Sequence, residues 1–148
     1  MDFKLELVVV PVSDVDRAKA FYAGNVGFNV DVDQEFGDDF RVVQLTPPGS
    51  ACSITIGTAI QQAEPGSTKG LHLVVSDIEA ARAELIERGV DISEPFHFGE
   101  SGQTPGIDPE RRDYATFMSF SDPDGNVWLV QEAHREAAEA YEPQDPPS

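Results

Sequence analysis

Val12-Ser-Asp-Val-Asp-Arg-Ala-Lys-Ala20 recurs almost letter for letter as Val75-Ser-Asp-Ile-Glu-Ala-Ala-Arg-Ala83, 63 residues further along the chain. Similarity at one long offset is the mark of a duplicated supersecondary unit. The match continues outward, because Gly27-Phe-Asn-Val30 and Gly89-Val-Asp-Ile92 each resume a β-type pattern after a helical stretch that ends in glycine. Upstream, a β-branched run precedes each Ser-Asp pair, Leu5 to Val12 in the first copy and Leu71 to Val75 in the second.

These parts fix the order of elements. Asp14 and Asp77 are suited to cap the helix that follows, since a short carboxylate accepts from the free N–H groups of a first helical turn. Val15, Ala18, Phe21 and Tyr22 fall at helical spacing, as do Ile78, Ala81, Leu85 and Ile86, so both helices are amphipathic. Three extended segments follow in each copy: Asn29 to Phe36, Phe40 to Leu45 and Cys52 to Ile56, then Val90 to Phe98, Tyr114 to Phe120 and Val127 to Gln131. The repeat unit is βαβββ. The fold class expected is α+β, with two tandem βαβββ modules forming curled, mostly antiparallel sheets around a ligand cup. The modules span residues 1–62 and 63–132, and an acidic, partly disordered tail spans 133–148.

Asp122-Pro-Asp-Gly-Asn126 reads as a hairpin turn, with proline where φ is fixed and glycine where it is positive. Its acidic residues do not make a calcium loop, because no Glu stands at the twelfth position. Residues 99–113, GESGQTPGIDPERRD, read as one long loop.

Composition limits the partners. The formal charge of −17, from 27 acidic and 10 basic residues, repels phosphate backbones and anionic membranes. No apolar run approaches the ~20 residues that span a bilayer, and a single cysteine, Cys52, excludes an internal disulfide. The opening MDFKLELVVV lacks the features of a secretory signal, so a cytoplasmic location is expected.

The duplicated βαβββ units, the strand-Ser-Asp-helix openings, the Ala20-Phe-Tyr22 helix, the Gly27-Phe28 pair and the Asp122-Pro-Asp-Gly-Asn126 turn before a strand ending Gln131-Glu132 together resemble the vicinal-oxygen-chelate proteins. That group comprises glyoxalases, bleomycin-resistance proteins and extradiol dioxygenases. The likeness covers residues 5–132. It implies two curled sheets around a cavity and a homodimer.

Metal-dependent members of that family hold a ligand seven residues before each helix-opening aspartate, another on the last strand of the first half, and a fourth four residues after the glycine of the DPDG turn. The resemblance carries these positions onto Leu7, Gly70, Thr55 (or Ser53 on the same strand) and Leu129. None is a residue that binds a divalent ion through imidazole, thiolate or carboxylate. The resemblance therefore implies a vacated metal site, no cofactor, and an apolar cup that takes a small organic molecule, aromatic or cationic, as the antibiotic-binding members do. Gln131 is in phase with Leu129 along its strand, and His72 is in phase with Gly70, so both join the candidate ligand-binding set with Leu7, Thr55, Gly70 and Leu129.

His72 is the candidate acid or base if the protein is a lyase, isomerase or dioxygenase acting on a carbonyl or aromatic substrate. A metal-bearing version of that alternative recruits His72, His97 and Glu132 as two imidazoles and one carboxylate. Glu132 itself is expected to face outward, and His134 to be solvated. Arg111 can clamp a ligand carboxylate or, with Arg112, pair with Glu110 and Asp113. Tyr114 opens the strand to Phe120, one face of which lines the pocket mouth. Trp128 is expected to pack on the opposite side from Leu129.

Overall fold

A computed structural model of the chain describes residues 1–58 and 63–134. The expected tail from 133 thus falls, beyond His134, outside the described residues. Two separate sheets make up the molecule. The first has strands β1 (Leu7–Val9), β2 (Asn29–Glu35), β3 (Arg41–Thr46) and β4 (Ser53–Gly57) in the order β1-β4-β3-β2. The second has β5 (Lys69–Val75), β6 (Phe96–Gly99), β7 (Gly102–Pro105), β8 (Thr116–Ser121) and β9 (Val127–Glu132) in the order β5-β9-β8-β6-β7. In each sheet the first strand runs parallel to the last and all other pairs are antiparallel. This is the expected α+β class of paired βαβββ units.

The helices begin as their sequences require. Asp14 accepts from the Arg17 N–H and Asp77 from the Ala80 N–H, each from an extended backbone. Helix α1 is α-helical over Val15–Lys19 and widens to π-helical turns over Ala20–Val26. It closes at Gly27, whose φ of 92° is open to glycine at little cost. Helix α2 is regular over Ile78–Glu87.

One core joins both halves. Val10, Val43, Leu45, Ile54 and Ile56 from the first sheet cluster with Met118, Phe120, Trp128 and Val130 from the second, and Tyr22 and Ile78 of the helices lie among them. Tyr22 is the link: its ring lies 5.8 Å from that of Trp128, it accepts from Trp128 Nε1 at 2.9 Å, and it donates to Asp122 at 2.7 Å. Trp128 thus packs against α1, on the side of β9 opposite Leu129. Asn126 is buried in the same seam, and its side-chain amide donates to the Pro11 carbonyl and to the Asp122 carboxylate.

Three expectations change. Val90 to Phe98 is a strand only from Phe96; Val90 and Ile92 are buried in the core without joining a ladder, and Pro95 lacks the N–H a ladder needs. The segment 99–113 is not one loop, because Gly102–Pro105 folds back on Phe96–Gly99 as a hairpin. Glu132 faces inward and is fully buried, since the side of β9 opposite Gln131 is the core side that carries Trp128 and Val130.

Candidate functional site

Strand alternation gives each sheet a core side and an open side. In the second sheet Leu71, Leu73 and Val75 pack against the core, so Gly70, His72 and Val74 lie on the open side. Register extends this side across the sheet: His72 pairs with Leu129 and Leu129 with Ser119, while Val74 pairs with Gln131 and Gln131 with Phe117. Four of the residues singled out in the sequence, Gly70, His72, Leu129 and Gln131, therefore share one face.

The first sheet supplies the other two. Leu7 pairs with Ser53, and Thr55 pairs with Val9 and Gln44, on the side opposite the core residues Ile54 and Ile56. The Ser53 hydroxyl is satisfied by Gln44 at 3.2 Å and Thr46 at 2.6 Å. The Thr55 hydroxyl is not. Only 5% of Thr55 is exposed, and among the described residues its Oγ1 is the one buried side-chain oxygen or nitrogen without a hydrogen-bond partner. An orphaned buried hydroxyl costs about 1–3 kcal/mol, so its persistence calls for an explanation.

His72 Nδ1 lies 2.8 Å from the Gly70 carbonyl oxygen. A carbonyl only accepts, so Nδ1 carries a proton, which leaves Nε2 as the nitrogen that accepts in the neutral form of the ring. The arrangement offers a ligand an acceptor at His72, an amide at Gln131 and apolar surface at Leu7, Val74 and Leu129.

Arg111 is placed elsewhere. Arg111 donates to the buried Glu132 at 2.7 Å and to Glu79 at 3.1 Å, and Glu132 accepts from the Ile78 N–H at 2.9 Å, so this trio secures the start of α2. Burial pushes the Glu132 carboxyl up, but the Arg111 hydrogen bonds, the Ile78 N–H and the Arg111 charge outweigh it and hold the group below the ordinary range. Arg112 pairs with Asp108 at 2.8 Å and Glu110 at 3.6 Å. The expected pairing thus holds for Arg112 and Glu110, whereas Arg111 takes Glu132 and Glu79, and Asp113 takes His134 at 2.9 Å. His134 is half-exposed, as a solvated residue would be, and also stands 3.3 Å from Glu132. Tyr114 precedes β8 in a left-handed backbone conformation with φ of 64°, its N–H donating to the Glu132 carbonyl.

The histidine and carboxylate triad does not form. His97 pairs with Thr116, whose side chain is fully buried, so it shares the side of Glu132, and His72 is on the other side of the sheet. Among the described residues no three His, Cys, Asp or Glu side chains are grouped to hold a metal ion. Nor is any helix there long and apolar enough to cross a membrane. Within β8 the parity left open by the sequence is settled, Phe117 on the open side and Met118 in the core.

The family model described as the Glyoxalase/Bleomycin resistance protein/Dioxygenase superfamily matches residues 4–130. The chain belongs to this superfamily. Among solved structures, TnmS3, an antibiotic-binding protein from Streptomyces sp. CB03234, is 34% identical over 88% of this chain and 96% of its own, with a TM-score of 0.69. A glyoxalase/bleomycin resistance protein from the same strain is 35% identical over 87% of this chain and 100% of its own, with a TM-score of 0.67. The protein YetH of Bacillus subtilis (strain 168) is 26% identical over 129 residues, 84% of this chain and 94% of YetH. The sequence reading missed Phe96 and Phe98, which adjoin the open face beside Phe117. The alternating Phe96-His97-Phe98 was the available signal.

Proposed function

We propose that this protein binds a small organic ligand without a metal, on the open faces of its two sheets, and that it acts as a homodimer in sequestering an antibiotic-like molecule. What carries the reading is the side chains at the four positions onto which the resemblance maps the metal ligands, Leu7, Thr55, Gly70 and Leu129. Two leucines, a glycine and a threonine provide no imidazole, thiolate or carboxylate, while the His72 and Gln131 groups supply the few polar points that orient an organic molecule in an apolar site. The similarity to an antibiotic-binding protein over nearly the whole chain supports the same class of ligand.

The core supports the dimer reading. Because the inner sides of both sheets meet in one hydrophobic cluster, the open sides turn away from it, and bringing Leu7 and Thr55 opposite Gly70 and Leu129 takes a second copy. The expected state in sedimentation equilibrium is a dimer.

The test is a thermal-shift screen of natural-product antibiotics with and without EDTA, repeated on Leu129→Trp, which fills the face. A ligand at about 100 times its Kd stabilises the protein by about 2.7 kcal/mol. The expected result is stabilisation indifferent to EDTA and absent in the variant. Stabilisation that requires added metal, or that Leu129→Trp leaves intact, overturns the reading.

A further inference from the structure

Helix α2 carries two stripes of side chains. Ile78, Ala81 and Leu85 turn into the core, while Glu79, Arg82, Ala83, Ile86 and Glu87, again at helical spacing, line a trough of about 720 Å³ on the outside of the molecule. The far wall is Glu94 and Pro95, ahead of β6, with Gly106 and Ile107 after β7. That wall is tied down. The Gly106 N–H donates to the Pro95 carbonyl at 2.8 Å, and Arg82 crosses from the helix to the Ser93 carbonyl at 3.1 Å and the Glu94 carboxylate at 3.2 Å. Ala83, Ile86, Pro95 and Ile107 supply apolar surface, and Ile86 is 48% exposed.

We infer that this trough docks a short, basic, amphipathic helix of another protein. The stripe from Glu79 to Glu87 rises roughly 12 Å, about two turns of a partner helix. Main chain on both sides is already paired, α2 within itself and Pro95 with Gly106, so the trough offers side chains alone. A helix satisfies its own N–H and C=O groups and loses nothing there, whereas an extended segment would leave its own unpaired. The trough is also open along its length, so a small molecule in it would remain largely in water. Charge sets the sign of the partner. Glu79, Glu87, Glu94 and the buried Glu132 behind them outnumber Arg82 and Arg111, on a chain at −17. Lysines or arginines flanking apolar anchors complement this rim, whereas α2 of a second copy would set acid against acid.

The test is fluorescence anisotropy on the full chain with a fluorescein-labelled helical peptide of leucine, alanine and lysine, its leucines at i, i+3, i+4 and i+7. The comparators are a scrambled peptide of the same composition and the same peptide with glutamate for lysine. The basic amphipathic peptide is expected to bind at least about tenfold more tightly than either, and to weaken as salt is added. Ala83→Arg fills the floor with a good helix former, and Ile86→Glu removes the exposed anchor without touching the core; each weakens binding roughly tenfold. Glu87→Lys weakens it roughly three- to tenfold, and Glu35→Lys, the same change of charge on β2, by less than about twofold.

Equal binding of the scrambled peptide, or equal losses in Glu35→Lys and Glu87→Lys, reduces the attraction to net charge and overturns the inference. Undiminished binding to both Ala83→Arg and Ile86→Glu overturns the location. Absence of binding by the basic peptide overturns it as well, as does a change of oligomeric state in Ile86→Glu, which gives the trough to a second copy. No residue of the trough lies on the open face of either sheet, so none of these outcomes bears on the binding reading above.

Discussion

Tyr22 and Trp128 come from opposite halves of the chain and meet through one buried hydrogen bond. Burial, then the hydrogen bond to Asp122, push the Tyr22 hydroxyl far above its usual range, so it remains a neutral donor and acceptor. Tyr22→Phe leaves Trp128 Nε1 without its acceptor and removes a donor from Asp122. The expected loss is about 1–3 kcal/mol in urea unfolding, with no change in slope. Glu132 gives a second prediction at this scale. Its folded pKa lies below the ordinary 4.5, so its contribution is present above that value and lost as pH falls through the folded pKa. Glu132→Gln lowers the Tm at pH 7 and flattens its decline below about pH 4.5, part of the decline persisting because Asp108 and Asp113 are also held low. A wild-type acid slope in the variant contradicts this role. Alternation alone brought Gly70, His72, Leu129 and Gln131 to one face. It did not reveal that Glu132 is interior, because both sides of β9 are largely apolar and only the packing of Tyr22 against Trp128 identifies the core side.

The elements most legible in the sequence are those with caps and closures, the two helices between Asp14 or Asp77 and a glycine. The β6–β7 hairpin was not legible. Gly102, Gln103 and Pro105 have little strand character, and proline is tolerated because β7 is the edge of its sheet. The junction between the sheets has its own requirement. Gly66, with φ of 79°, donates to the Pro11 carbonyl and lies so close to the DPDG turn that a Cβ would stand 2.1 Å from the Asp124 oxygen. Gly66→Ala therefore forces the connection off the turn, and the expected cost is at least about 2 kcal/mol by calorimetry. A Tm within a degree or so of wild type contradicts the close approach.

At the scale of the molecule, one core is shared between two sheets whose other sides carry Leu7, Thr55, Gly70 and Leu129, none of them an imidazole, thiolate or carboxylate. The direct measurement is retained metal per chain after incubation with Zn, Ni, Mn and Fe(II) and desalting. Less than about a tenth of an equivalent of each is the predicted result. Near one equivalent of any of them, abolished by His72→Ala, contradicts the account and makes this chain a metal-dependent member of its superfamily.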